Sequence, residues 1–107
     1  MKSAIIIFFI TCFSFGQTDI EIIQFSASFV KDNEVSLKKF KYQTKTIYMS
    51  ENPDKFQKHK LKYIPTIILL YNGDEYHRVE SGISLKLPED TINQIEDKID
   101  EIIESKF

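Results

Sequence analysis

A proline directly before an almost uninterrupted apolar run most restricts how this chain can fold. The run is Thr66 to Tyr71, and Pro65 precedes it. Because a proline removes one backbone donor from a sheet, it is found at the first residue of a strand or at an edge. The run ends at Asn72-Gly73, a pair that favours the positive φ angles of a tight hairpin turn. The sequence therefore predicts a buried strand that starts near Pro65 and turns back into a second strand.

The rest of the chain alternates between strand and helix patterns. Further strands are predicted at 20–28, 45–50 and 75–83, and helices at 30–40, at 53–61 and from Pro88 onward. The last helix has one apolar stripe of isoleucines at three- and four-residue steps, namely Ile92, Ile95, Ile99, Ile102 and Ile103. The order β-α-β-α-β-β-α predicts an α/β domain with a parallel pair, a closing antiparallel hairpin and a mixed central sheet flanked by helices.

Residues 1–16 have the pattern of a secretory signal. Lys2 precedes an apolar run, and Ser14 and Gly16 are the small residues of a cleavage site. We therefore expect a signal peptide at 1–16, one domain at 17–107, and a secreted or periplasmic protein. The run is too short to span a bilayer and no second one follows, so no membrane span is expected after the leader is removed.

Cleavage after Gly16 would also remove Cys12, the only cysteine of the chain. A lipoprotein attached through Cys12 is disfavoured, because Thr11 is bulky for the position before a lipidated cysteine. The exported domain would then hold no thiol and no disulfide, although small exported domains often depend on disulfides. Its stability would depend on its apolar core alone.

Charge and motif patterns exclude several classes of function. The formal net charge is −2, with lysines concentrated in the middle of the chain and acids near its end. An acidic exported domain is not expected to bind nucleic acid. His59 and His77 have no second histidine or cysteine at ligand spacing, so no metal is expected. There is no phosphate-binding glycine loop, and we expect no cofactor.

Two motifs resemble those of the thioredoxin fold family. Ile64-Pro65-Thr66, followed by the Asn72-Gly73 turn, is similar to the thioredoxin strand that starts at a cis-proline. Phe25-Ser26-Ala27-Ser28-Phe29-Val30-Lys31-Asp32-Asn33 is similar to the thioredoxin segment that carries a Cys-x-x-Cys pair. The resemblance covers roughly residues 20–103. It implies a minimal thioredoxin-like fold in which the Ile64–Pro65 peptide bond is cis.

The same resemblance implies that the catalytic residues of the family are missing. Val30 and Asn33 stand at the two cysteine positions, and Gln24 stands where catalytic thioredoxins keep a buried acid. No tryptophan flanks the motif, since Ser26 and Phe29 occupy those positions. Thiol–disulfide exchange needs one thiolate to attack and a second sulfur to resolve the mixed disulfide. We therefore expect no catalytic residue and a redox-inactive member of the family.

Binding of an extended peptide or a protein partner is the function that the resemblance leaves. In the family, the backbone of the residue before the cis-proline is open to pair with such a peptide, and here that residue is Ile64. The implied binding residues are Phe29, Val30, Asn33, Ile64 and Pro65. An alternative is that Pro65 only shapes the start of the strand and that the apolar patch is closed by packing. The protein could also be an oxidoreductase that acts through the cysteines of a partner, or a purely structural domain.

Overall fold

The computed structural model describes residues 19–106, so the expected signal peptide lies outside the described residues. The four strands are β1 (Ile20–Ser26), β2 (Gln43–Tyr48), β3 (Thr66–Tyr71) and β4 (Asp74–Glu80). The two α-helices are α1 (Pro53–Lys58) and α2 (Thr91–Lys106). Two 3-10 turns complete the described elements, the first at Ser28–Asn33 and the second at Gly82–Ser84.

The strands form one mixed sheet in the order β2-β1-β3-β4. β1 and β2 are parallel, whereas β3 is antiparallel to both β1 and β4. Phe25 near the end of β1 faces Ile47 of β2 on one side and Thr66 of β3 on the other. The carboxyl ends of β1 and β2 therefore lie at the same end of the sheet as the first residue of β3. This topology confirms the predicted fold class.

The sheet separates two apolar layers. On one face, Ile22, Ile67 and Leu69 pack against the isoleucine stripe of α2, in which Ile95, Ile99 and Ile102 are buried. On the other face, Phe56 of α1 packs against the sheet in a second buried cluster. Its members are Ile23, Phe25, Ile47, Phe56, Ile68 and Leu70. The predicted apolar stripe of the last helix is confirmed at Ile95, Ile99, Ile102 and Ile103, whereas Ile92 is not part of this cluster.

The hairpin between β3 and β4 is also confirmed. Asn72 has a φ angle of 56° and Gly73 one of 86°. These positive values are those of the tight turn that an Asn-Gly pair favours. The prediction of strand 75–83 needs correction, since β4 ends at Glu80 and the second 3-10 turn follows. Ile83 is 88% exposed and does not share the buried face of Val79.

The predicted first helix is wrong in extent and type. Instead of an α-helix over 30–40, the first 3-10 turn ends at Asn33 and Glu34 is extended, with φ −70° and ψ 153°. The cause is a contact distant in sequence. The Val35 amide donates to Oε1 of Gln24 and the Val35 carbonyl accepts from Nε2 of Gln24, each at 2.9 Å. Both backbone groups that Val35 would use in a helix are thereby taken.

Smaller differences concern the ends of elements. β1 ends two residues earlier than predicted, and β2 is displaced two residues toward the amino terminus. The last helix begins at Thr91 rather than at Pro88, because the Thr91 hydroxyl and amide both donate to the Pro88 carbonyl, at 2.6 and 3.1 Å. None of the helices described within 19–106 is long and apolar enough to cross a membrane.

Candidate functional site

An apolar groove of about 550 Å³ lies at the end of the sheet where β1 and β2 end and β3 begins. Its walls come from the first 3-10 turn, from the residue after β2, from α1, from the connection between α1 and β3, and from the loop after the second 3-10 turn. The described residues that line it are Phe29, Met49, Pro53, Phe56, Gln57, Lys60, Leu61, Lys62, Tyr63, Ile64 and Leu85.

Two large apolar side chains of the groove are open to solvent. Phe29 is 69% exposed and Met49 is 40% exposed, whereas Phe56 beneath them is buried. Exposed phenylalanine is costly, since burying such a side chain gains roughly 1.5–3 kcal/mol. Because both side chains line the same groove, their exposed surfaces are available to an apolar ligand.

The peptide bond between Ile64 and Pro65 is cis, as the resemblance implies. The Pro65 carbonyl accepts a hydrogen bond from the Ser81 amide at 3.2 Å, and the Tyr63 carbonyl accepts one from the Thr66 hydroxyl at 2.6 Å. Ile64 differs from both of these neighbours. Its amide and its carbonyl form no hydrogen bond with any residue in the range 19–106. Ile64 also lines the groove, so one residue of the lining has a backbone amide and a backbone carbonyl that no described residue uses.

Not all of the residues predicted to bind a peptide line this groove. Phe29 and Ile64 do, whereas Pro65 is buried behind them. Val30 is only 2% exposed and packs into the protein. Asn33 uses its side-chain amide to donate to the Leu85 carbonyl at 2.8 Å. It therefore joins the first 3-10 turn to the loop that carries Leu85, which does line the groove.

The carboxyl end of α1 forms the basic side of the groove. The Lys60 amide donates to the Gln57 carbonyl and the Leu61 amide donates to the Phe56 carbonyl, a pair of bonds that ends many helices. Lys60 has a φ angle of 53°. Such helix ends usually place glycine at this position, because a side chain in the left-handed region is strained.

Arg78 of β4 holds this helix end from outside. Its Nη2 donates to the His59 carbonyl at 2.7 Å and to Glu75 at 2.8 Å. The hydrogen bond from Arg78 lowers the pKa of Glu75, and burial followed by the charge of Lys58 lowers the pKa of His59. The backbone that carries Lys60 is therefore fixed by partners on two elements.

The position of the family's buried acid contains a neutral amide. Gln24 is 1% exposed, and its bonds to the Val35 backbone satisfy its polar atoms. Nearby, the buried Ser26 hydroxyl donates to Oε2 of Glu34 at 2.8 Å. A hydrogen bond between Glu34 and Tyr48 raises the pKa of the Tyr48 hydroxyl. This cluster connects the segment after the first 3-10 turn to β2.

Most groove residues were not predicted from the sequence, notably Met49, Lys60, Lys62 and Leu85. Met49 had a usable signal, since it follows a strand parallel to β1 and ligands bind where such strands end. Leu85 had none, because only folding brings it to Asn33. In the part of the chain that the structure describes, no group of three or more acidic, histidine or cysteine side chains could hold a metal ion.

The comparisons with known proteins connect this geometry to one fold. No family model matches the sequence, and the search of curated proteins found no relative. Solved structures do match. A thioredoxin from Schistosoma mansoni has a TM-score of 0.59 at 14% identity, covering 83% of this chain and 85% of its own. A Plasmodium falciparum thioredoxin has a TM-score of 0.57 at 17% identity, covering 86% and 78%.

A mutant thioredoxin from Halobacterium salinarum NRC-1 has a TM-score of 0.57 at 19% identity and covers 76% of this chain and 75% of its own. Identities this low establish the arrangement of the backbone and leave the chemistry open. The sheet order, the cis bond before Pro65 and the groove beside it occur together on the same backbone arrangement. The chain has a thioredoxin-like fold.

Proposed function

We propose that this protein is an exported thioredoxin-fold module that binds extended polypeptide segments in the cell envelope and has no redox thiols of its own. The observation that carries the proposal is the free backbone of Ile64 inside an open apolar groove. An extended peptide could use the Ile64 amide and carbonyl as an added strand would. Binding of this kind takes affinity from main-chain hydrogen bonds and selectivity from nearby side chains.

The absence of thiols supports binding over catalysis. No residue from 19 to 106 is a cysteine, and the two motif positions carry Val30 and Asn33. Neither side chain can attack a disulfide or resolve one. Both are already used within the fold, Val30 in packing and Asn33 in the bond to Leu85. An activity through a partner's cysteines would need a contact that no observation here favours.

Export is supported by the pattern of residues 1–16 and is tested by mass. The protein isolated from its native host should begin at Gln17, and this first residue can be cyclised. Intact-mass measurement reads the start of the chain directly. A protein that still contains Cys12 would contradict both the removal of the leader and the claim that the exported domain has no thiol.

Peptide binding is tested by display of randomised peptides on the purified protein, with counter-selection on a Phe29→Ser variant. Because Phe29 is largely exposed, this change should leave the fold intact while removing an apolar side chain from the groove. Peptides selected on the protein should lose most of their affinity for the variant. If no peptide is enriched over the variant, the proposed function is wrong.

The backbone part of the proposal has its own measurement. Single N-methyl groups introduced along a selected peptide remove one amide donor at a time. Because Ile64 offers a single carbonyl acceptor, an added strand would direct one of its amides to it, so the methyl group should weaken binding at that one position. A peptide that tolerates all of them would bind through side chains alone, and the role of Ile64 would be refuted.

A further inference from the structure

We propose that the groove selects extended peptides in which apolar residues lie beside acidic ones. This inference rests on the peptide-binding function proposed above and adds to it the class of peptide. Its apolar part follows from Phe29 and Met49, which are two of the four large hydrophobic side chains exposed among the described residues. Both line the groove, so an apolar side chain of a peptide has a surface to cover.

The acidic part follows from the charges of the groove. Lys60 and Lys62 line it, and the described lining residues include no aspartate or glutamate. Neither lysine forms an ion pair with another residue of the described range. The chain as a whole has a net charge of −2, so the positive groove is a local feature rather than a reflection of the overall charge. Complementary charge on a ligand gives selectivity and faster association.

The backbone conformation at two groove residues supports a functional role for their side chains. Lys60, Asn72 and Leu85 are the non-glycine residues with positive φ in the described range. Asn72 belongs to the hairpin turn, where asparagine is favoured. The other two both line the groove, with φ angles of 53° and 63°. Strained residues of this kind cluster where ligands are held.

Each strained residue is fixed by a hydrogen bond from a different part of the fold. Asn33 donates to the Leu85 carbonyl at 2.8 Å. Arg78 donates to the carbonyl of His59, the residue before Lys60, at 2.7 Å. A glycine at either position would relieve the strain but would remove an ammonium or an apolar side chain from the groove. The two positions thus supply one basic and one apolar side chain to the lining of the groove.

The composition of the peptides selected by display tests this inference separately from the proposed function. Enrichment of apolar residues next to aspartate or glutamate supports it. Enrichment of neutral or basic peptides that still fail on Phe29→Ser would overturn the acidic preference and leave peptide binding standing. If no peptide is enriched, the proposed function fails and the inference fails with it.

Variants of Lys60 and Lys62 then test whether these two residues cause the preference for acidic peptides. For an acidic peptide, Lys60→Gln with Lys62→Gln should weaken binding by about 3- to 10-fold at low salt, as expected for two exposed charge pairs. Raising the salt to about 0.5 M should remove most of this difference, since exposed charges are then screened. Lys38→Gln with Lys41→Gln is the charge-matched control, because both residues are exposed and outside the groove. Equal losses for the two pairs would overturn the inference.

A second copy of this chain is the competing occupant, because α2 is rich in acids. Sedimentation at rising concentration distinguishes it from a peptide. A monomer at all concentrations, together with acidic display peptides, supports the inference. A dimer that the Lys60→Gln, Lys62→Gln pair dissociates would mean that the groove holds a neighbouring molecule, and the peptide assignment would be wrong.

Discussion

Replacing Lys60 with glycine should separate the stability of the protein from its binding. The left-handed conformation costs a non-glycine residue roughly 1–2 kcal/mol, and glycine adopts it without that cost. The bond from the residue-60 amide to the Gln57 carbonyl is kept in the variant. We expect Lys60→Gly to raise the free energy of unfolding by up to about 1 kcal/mol, measured by urea titration, while its affinity for an acidic peptide falls.

Lys62→Gly is the matched control for that prediction. It removes the same charge from the groove, but Lys62 is not among the residues with positive φ. Glycine there only adds freedom to the unfolded chain, so stability should stay level or fall by about 0.5–1 kcal/mol. If Lys60→Gly were no more stable than Lys62→Gly, the left-handed strain at position 60 would be refuted.

The buried amide of Gln24 gives a prediction with a defined pH dependence. Gln24→Glu places a carboxyl at a site that is 1% exposed, and the charged form cannot donate to the Val35 carbonyl. Both effects raise the pKa of that carboxyl above its unfolded value of about 4.3. The unfolded variant then releases its proton at lower pH than the folded one, so stability falls as pH rises between the two pKa values.

Urea unfolding at pH 4 and pH 8 checks this sign. Each unit by which the folded pKa is raised corresponds to about 1.4 kcal/mol of stability lost by the higher pH, relative to the unchanged protein. Gln43→Glu is the control, since Gln43 is exposed at the edge strand and should follow the unchanged protein. A Gln24→Glu variant whose pH profile matches this control would show that the site is not closed to water.

The first 3-10 turn is the element that tests the correspondence with thioredoxin most directly. If Val30 and Asn33 stand at the two cysteine positions of the family, Val30→Cys with Asn33→Cys should bring two sulfurs together, although the backbone at Val30 departs from helical values, with φ −118° and ψ 18°. We expect mild oxidation to form an intramolecular disulfide, detected as loss of free thiol and of two mass units. Asn33→Cys alone is the control for loss of the bond to Leu85. Two free cysteines in a folded double variant would contradict the correspondence.

At this scale, local pattern predicted the elements that depend on local chemistry. The conformation of the apolar run after Pro65 and of the Asn72-Gly73 turn depends on their own residues, and both predictions are confirmed. The helix over 30–40 was not, because Gln24 binds the Val35 backbone and so prevents helical hydrogen bonds there. A glutamine eleven positions earlier has no place in a pattern of helical periodicity.

The site was less predictable than the fold for the same reason. Phe29 and Ile64 could be predicted as site residues, since the resemblance to the thioredoxin motifs implies that both lie near the proline. A left-handed residue at a helix end is usually recognised from a glycine, but this helix end has Lys60 at that position. Leu85 is held at the groove by its hydrogen bond to Asn33, which is distant in sequence. Residues placed by a side chain from another element cannot be found by spacing along the chain.

The whole molecule should not reduce disulfides. With dithiothreitol and insulin, the protein isolated from its native host should leave the rate of insulin reduction at background, because residues 19–106 offer no thiol. Turbidity of the insulin sample measures this rate. Acceleration that persists through further purification would favour the enzyme interpretation over binding. The Val30→Cys, Asn33→Cys variant shows in the same assay whether the scaffold supports catalysis once sulfurs are present.

The hydrogen bond from the Asn72 amide to the Asp19 carbonyl places the start of β1 beside the β3–β4 hairpin. The groove lies at the other end of β1, and a seven-residue strand is about 23 Å long. Anything joined ahead of Asp19, such as a bead, a sensor surface or a fused domain, is therefore attached at the far side of the molecule. Immobilisation through the amino terminus leaves the groove facing the solution, where peptides can reach it.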